Sequence, residues 1–434
     1  MRGSLQRIAL AVVSCLLAAQ AFAQLSPVEE RIVAAVKARG DDAIRLLERT
    51  VNVNSGTLNV EGVREVGKLF GGEFERLGFR TRWAEMPPEV GRAGHLVAWR
   101  EGTRGRRLLL IGHLDTVFEK HSPTQVWERS GDRVRGQGVI DMKGGNVIVV
   151  EALRALDRAG VLDDTTITIV FTGDEERVGS PVSVTRRDLI DAAKRSDAAL
   201  SFEGVTRDKA GRDMATVARR ASGGFTLTVT AQPAHSAGMF SEGVGFGAVY
   251  EGVRILNAFR EKVAEPGLSF SPGVVLGGTV VAYDAALGSG TAFGKGNVIP
   301  RSFTAVSDMR YVTTEQGDRA RVRMREIVSQ SLPGTSAEIR FGRGYPPMAA
   351  TPGNIKLLEM YSKASEDAGL GPIGTLEPTE RGSGDIQFVA PYLDCLDGLG
   401  AAGRGSHTVD ETIEIRSLER GAIRAALMIY RLTR

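Results

Sequence analysis

His113, Asp115, Asp141, Glu175, Glu176, Glu203 and His407 are side chains of the types that bind and use divalent metal ions, scattered over most of the chain. Imidazole nitrogens and carboxylate oxygens together form a donor set that suits zinc. Each of these residues follows an apolar, strand-like run or lies in a glycine-rich loop. Ligands far apart in sequence that converge at strand ends are how an active site is assembled on an α/β sheet. The chain therefore reads as an enzyme.

Taken singly, each residue also has a plainer reading. His113 follows the apolar run 108–111 and stands two residues before Asp115. Alternation along a strand puts such residues on one side, where a carboxylate can take the second ring N–H of a metal-bound histidine. An ordinary His–Asp hydrogen bond has the same spacing. Asp141 lies among Gly136, Gly138, Gly144 and Gly145. That bend could let it reach between two ions, or it could simply cap the next helix. Asp174-Glu175-Glu176 places three acids in a row after a β-branched run. A cation, with one carboxylate ligating and its neighbour acting as base, accounts for them; a solvated acidic loop is the alternative. Glu203 and His407 alone would pass for surface and loop residues. The chain has 5 histidines in all, so the joint placement is more informative than any part.

Elements must bring these residues together. Helical periodicity runs from about residue 27 to 77, with Ile32, Val36, Ile44 and Leu47 in one segment and Val63, Val66, Leu69 and Phe70 in the next. Runs 108–111, 166–171 and 198–202 then read as strands, with a helix at 146–156. Strand, helix, strand at this spacing predicts a largely parallel α/β sheet. The pattern changes near residue 220. Strands at 225–230, 274–283, 303–311 and 337–341, with helices at 245–259 and 319–332, follow the order β-α-β-β-α-β of a ferredoxin-like unit. It falls between Glu203 and His407, and so reads as an inserted domain. A helix at 354–368, a strand at 393–396 and a helix at 415–432 close the chain. The expected division is 1–23, 24–219, 220–342 and 343–434.

With these pieces in place the chain resembles the dinuclear-zinc carboxypeptidases and N-acyl-amino-acid deacylases, closest to secreted bacterial glutamate carboxypeptidases. The matching stretches are 112–117, 138–145, 172–176, 200–203, Ala234-His235-Ser236-Ala237-Gly238, Asn297-Val298-Ile299-Pro300, Asp308-Met309-Arg310 and 398–407. The resemblance implies a zinc-peptidase catalytic sheet carrying an inserted dimerisation domain, and two Zn2+ per chain. Asp141 would bridge the ions, with Glu176 and His407 on one and His113 and Glu203 on the other. Asp115 would orient His113, and Glu175 would be the catalytic base. His235 would donate to the oxyanion of a neighbouring subunit's site in a homodimer. The Asp141–Met142 peptide would be cis, which is rare outside proline. Asn297 and Arg310 would hold a substrate carboxylate, and Gly384, in Arg381-Gly382-Ser383-Gly384-Asp385, would contact substrate through its backbone. Pro233 is an unusual neighbour for the His235 motif, and the loose match from 205 to 221 leaves Lys209 and Arg220 without roles.

Bulk properties narrow the setting. A chain of 434 residues exceeds one small core, so two domains are expected. Arg2 and Arg7 precede an apolar stretch over 8–19, and Ala21-Phe22-Ala23 offers a small-x-small cleavage site. This reads as a secretory signal peptide, too short for a bilayer span of roughly twenty residues; a membrane anchor or a lipoprotein signal at Cys15 are the rivals. Cleavage after Ala23 would remove two arginines and no acids, lowering the formal charge from +3 to about +1. Nothing there attracts nucleic acid, and no stable membrane association is expected after cleavage. Cys395 would remain alone, without an intramolecular disulfide, and its apolar run makes it a buried thiol rather than a nucleophile.

The expected protein is a periplasmic or secreted zinc-dependent hydrolase that acts on a small peptide or N-acyl amino acid and releases a C-terminal amino acid. An N-acyl-amino-acid deacylase uses the same machinery. In the family that the chain resembles, glutamate at the position of Glu203 goes with these activities, and aspartate with aminopeptidases. A non-catalytic binding protein on the same fold would not need Glu175.

Overall fold

The structure, a computed structural model, describes residues 25–122, 127–285, 287–342 and 344–434. The signal-peptide reading and Cys15 lie outside the described residues. No helix among them is long and apolar enough to cross a membrane.

Three helices open the described chain: α1 (Pro27–Lys37), α2 (Gly40–Val51) and α3 (Val60–Arg76). The periodic segment expected to be continuous from Ile32 to Leu47 is thus broken after Lys37. Ala38 and Arg39 close α1 and open α2 without changing which residues face the core. The strands β1 (Arg80–Ala84), β2 (His95–Arg100), β3 (Arg104–His113), β4 (Thr165–Thr172), β5 (Ala198–Ser201) and a later β12 (Asp394–Leu396) build the main sheet. Their order is β1-β2-β4-β3-β5-β12. The first two pairings are antiparallel, and β4-β3, β3-β5 and β5-β12 are parallel. A sheet covered on both faces needs apolar residues on both sides of each strand. Along β3, Leu108 and Leu110 join one core while Leu109 and Ile111 join the other. The first core is covered by α1, α2, α3, α4 (Gly144–Arg158) and the closing helix α8 (Arg416–Leu432).

A second body has its own core. It runs β6 (Gly223–Ala231), α5 (Gly247–Lys262), β7 (Ser269–Gly278), β8 (Val280–Asp284), β9 (Ser289–Phe293), β10 (Ser302–Arg310), α6 (Thr314–Val328) and β11 (Thr335–Phe341). The four long strands form an antiparallel sheet in the order β7-β10-β6-β11. Phe225, Leu227 and Val229 of β6 and Phe303, Ala305 and Met309 of β10 alternate inward and pack with Ile255, Phe259 and Met324. The run 274–283, expected as one strand, is split between β7 and β8. At Gly278 a Cβ would lie 2.6 Å from the Phe293 carbonyl oxygen, so only glycine lets the hairpin β8-β9 fold back there. That hairpin is an addition to the expected β-α-β-β-α-β order. Residues 289–293 lacked a strand pattern because every one of them is exposed.

The chain enters and leaves this body at one end. Ala221 N–H donates to Tyr311 O (2.7 Å) and Ser222 pairs with Tyr345. The helix α7 (Pro352–Asp367) then returns the chain to the main sheet at β12.

Candidate active site

Parallel strands point their carboxyl ends the same way, so the loops leaving β4, β3, β5 and β12 all emerge at one edge of the sheet. His113 ends β3, Glu175 and Glu176 come just after β4, and Glu203 just after β5. Asp141 enters from the loop before α4, where Gly138 has φ 69° and the Asp141–Met142 peptide is cis. Gly145 carries no Cβ because one would lie 2.0 Å from the Phe202 carbonyl oxygen. That close approach sets the start of α4 against the end of β5.

The carboxylate of Asp141 faces two ways. Its Oδ1 is 3.1 Å from His113 Nε2, which is itself 3.6 Å from Glu203 Oε1. Its Oδ2 is 2.9 Å from His407 Nε2, which is 3.1 Å from Glu176 Oε2. Ligands at zinc bond lengths around one tetrahedral ion stand about 3.3 Å apart, the spacing found within both groups. His113, Asp141 and Glu176 can all place a ligand atom within 4.8 Å of one another. Glu176 Oε1 is buried with no hydrogen-bond partner among the described residues, an arrangement a bound cation would satisfy. The donor set fits bound metal, with Asp141 between the two groups.

Electrostatics agree with the geometry. Burial pushes the Glu203 carboxyl up to about 8, with the charge of Asp141 adding to it. Burial also raises Glu175 well above the carboxylate range, opposed by His113 and reinforced by Glu203, Asp385 and Glu176. Hydrogen bonds to Asp141 and Glu176 hold His407 up at about 11. For His113, burial opposes the charged ring, but Asp115 and Asp141 keep it well above the usual imidazole value. The cluster thus gathers positive charge from its histidines, a task that divalent ions perform with more charge in less space.

Further contacts hold these residues, those of Glu411, Ser406 and Tyr345 having had no sequence signal. Asp115 takes the N–H groups of Glu175 (3.0 Å) and Glu176 (3.1 Å) and the Thr57 hydroxyl (2.6 Å). It therefore holds the acidic loop as well as His113, whose Nδ1 lies 3.0 Å from the Asp115 carbonyl and 3.5 Å from its carboxylate. Glu411, fully buried, accepts from the N–H groups of Gly138, Ile140 and Asp141 at 3.0, 2.9 and 3.2 Å. Ser406 Oγ donates to Asp141 Oδ2 at 2.6 Å. The Tyr345 hydroxyl donates to the Glu175 carbonyl at 3.0 Å. His407 has φ 64°, a left-handed conformation uncommon outside glycine and often found at functional positions.

The expectation that a cation explains all three consecutive acids is corrected for Asp174. It is fully buried against Arg186 (2.5 Å), whose Nε also reaches Asp385 at 2.7 Å. Removing one partner from such a buried set costs about 3–5 kcal/mol, so Asp174 serves the loop's structure. Cys395 is buried, and burial pushes its thiol up.

The remaining expected residues have other neighbours. His235 is exposed and pairs with Val298, its Nδ1 accepting from the Ala237 N–H at 3.2 Å. Ser236 N–H donates to the Asn297 carbonyl at 3.0 Å, so His235 and Asn297 are neighbours. Arg310 is not beside them. Asn297 precedes one end of β10 and Arg310 closes the other. At roughly 3.4 Å per residue the ends of that strand stand about 27 Å apart. The joint grip of Asn297 and Arg310 on one carboxylate therefore fails within a single chain. Arg310 instead lies 3.0 Å from Asp308, at the end where the second body joins the first. Gly384 is buried beside the guanidinium of Arg219, which pairs with Asp397 at 2.7 Å.

Known proteins are similar to this chain in sequence and in fold. The sequence pattern described as peptidase family M20/M25/M40 matches residues 109–431. The chain is 30% identical to Carboxypeptidase G2 of Pseudomonas sp. (strain RS-16), covering 99% of this chain and 98% of that protein. It is 28% identical to a succinyl-diaminopimelate desuccinylase of Acidiphilium cryptum, covering 79% and 86%. In fold it is similar to the aminopeptidase PepT of Bacillus cereus, with a TM-score of 0.69 at 16% identity over 91% of this chain and 99% of that one.

Proposed function

Because the chain belongs to the peptidase family M20/M25/M40 and is a hydrolase of that family, we propose that it is a two-zinc carboxypeptidase that releases a C-terminal amino acid. The observation that carries this reading is the two-sided Asp141, with His113 and Glu203 at one oxygen and His407 and Glu176 at the other. Zinc ions held by those two groups would polarise the scissile carbonyl and acidify water. Glu175 takes the proton of the attacking water and passes it to the leaving amine. Asp115 keeps Glu175 in reach by holding its backbone. Similarity to a succinyl-diaminopimelate desuccinylase supports a second reading, an N-acyl-amino-acid deacylase with the same machinery. A hydrolysis screen over acyl-amino acids and dipeptides that vary on each side of the bond tests both. Turnover of none of them would remove the reading.

The active enzyme, in this proposal, is a homodimer joined through the inserted body, exported to the periplasm by the segment ending near Ala23. Large apolar side chains stand exposed on that body, among them Tyr250, Val253, Val280 and Phe293, and such surface favours association. His235, bridged to Val298 ahead of β10, sits at the end of the body away from its junction with the main sheet. A second copy gives it a site. Mixing His235→Ala with Glu175→Gln subunits, each inactive alone, is expected to restore part of the activity through heterodimers carrying one intact site. Proven subunit exchange without recovery would overturn the shared site.

Arg310 then binds the substrate α-carboxylate from its own chain, with Asn297 contributing from the partner. Its pairing with half-exposed Asp308 is no obstacle, since exposed ion pairs contribute only about 0–1 kcal/mol and a bidentate carboxylate competes well. Amidating the substrate carboxylate is expected to lower kcat/KM about as much as Arg310→Ala does. The two losses should not add, because each removes one interaction. Equal turnover of acid and amide would exclude carboxylate recognition.

A further inference from the structure

Arg207 lines the cavity beside Asp141 and Glu203, and it also lines a second cavity of about 400 Å³. That volume is in the range that small-molecule sites occupy. Helix α8 contributes Arg420 and Arg424 to it, the segment 210–213 contributes Arg212, and Leu370 and Pro372 face them. Its arginines exceed the carboxylates available to them. Asp213 is shared by Arg207 at 2.8 Å and Arg424 at 2.7 Å. Glu414 accepts two bonds from Arg207, both of 2.8 Å. Arg133 at 3.7 Å and Arg420 at 3.6 Å stand only at ion-pair distance from that same carboxylate. Arg424 is complete, with Ser365, Asp213 and the Leu370 carbonyl as its acceptors. Arg420 is not. Its Nε and Nη2 are buried and have no hydrogen-bond partner among the described residues. Arg212, exposed at the rim, donates through Nε to Asp208 at 3.1 Å, which leaves its two Nη groups for another acceptor. Donors hidden from water and left unpaired are costly, and an anion that accepts from them removes that cost.

We propose that this cavity binds a small phosphomonoester at a site separate from the metal-binding residues. The phosphate lies on Arg420 and Arg212, and the organic part lies against Ala210, Leu370 and Pro372. Arg420 reaches the cavity from a helix and Arg212 from a loop, so two guanidinium groups converge on it from different elements. A phosphate monoester suits such a pair, because it carries a charge of about −1.5 to −2 and three strong acceptor oxygens that do not lie in one plane. Arg207 and Arg424, both held by Asp213, fix the wall behind it. Neither Arg420 nor Arg212 lines the cavity of Asp141 and Glu203. The site therefore stands whether or not the two-zinc reading does.

Calorimetry on the whole protein, with phenyl phosphate and inorganic phosphate as probes, tests the site. One phenyl phosphate is expected to bind per chain, more tightly than inorganic phosphate, because its ring covers Leu370 and Pro372. Arg420→Met is expected to weaken binding by roughly 10- to 100-fold, the span of one charge-assisted hydrogen-bonded contact. Arg212→Met should weaken it less, since an exposed charge is screened by salt. Bound metal can itself hold phosphate, so the titration is repeated with Asp141→Ala. Undiminished affinity there upholds a separate site, and lost affinity places the phosphate on the metals and overturns the proposal. Equal affinity in wild type, Arg420→Met and Arg212→Met would also overturn it, as would a wild type that binds neither probe. Inorganic phosphate bound as tightly as phenyl phosphate would remove the phosphomonoester and leave a site for free phosphate. Should Arg420→Met fail to fold by far-ultraviolet dichroism, Arg212→Glu decides, because it reverses a charge at the exposed rim. Affinity unchanged in that variant removes the site.

Discussion

Replacing Glu175 by glutamine is expected to lower kcat by roughly 10²–10⁴-fold, the usual worth of general acid–base catalysis, while leaving the metal in place. The reason is positional. Glu175 stands beside Glu176, the proposed ligand, yet its carboxylate takes no part in the contacts that join Asp141 to the two histidines. Its backbone is fixed independently, by Asp115 at the N–H and by the Tyr345 hydroxyl at the carbonyl. Glutamine keeps the size and those backbone bonds, and removes only the proton acceptor. Metal content by mass spectrometry, measured beside steady-state kinetics, separates the two effects. Full turnover by Glu175→Gln would remove Glu175 as the base.

Asp141→Ala is expected to abolish turnover by a different route, through loss of both ions. A catalytic zinc takes three protein ligands. With Asp141 shared, each half of the site has three, and without it each has two. In the proposed two-ion site the same carboxylate would also screen the repulsion between neighbouring cations, so no other ligand change should match it. Glu203→Ala, by contrast, leaves the Glu176 and His407 side intact and is expected to reduce zinc from two equivalents to about one, by the same ligand count. Unchanged far-ultraviolet dichroism in Asp141→Ala would show that the loss is local. Two zinc equivalents retained by that variant would refute the bridge.

Much of this protein was legible from local pattern. His113 and Glu203 were recognisable because each chemical residue follows a run of apolar residues, and such a run is a buried strand whose end must surface. The inserted body was recognisable because period-2 alternation, as in Phe225, Leu227 and Val229, switches near residue 220 to a new sequence of elements. These are signals between residues a few positions apart, and a strand or helix imposes them wherever it occurs.

Tertiary structure alone decided the rest, because it turned on partners distant in sequence. Asp174 and Glu175 are adjacent acids with nothing local to distinguish them. Arg186, which also pairs with Asp385, neutralises the first, and the open side of the site is left to the second. Glu411 looked like any acid near the C-terminus until the fold set it under three N–H groups of the loop that carries Asp141. Asn297 and Arg310 are thirteen positions apart in sequence, yet an extended strand intervenes, and its rise per residue holds them at opposite ends of the body. Helix and strand patterns arise within a segment. Which carboxylate is left to the open site and which meets an arginine depend on distances between segments, and those exist only once the chain has folded.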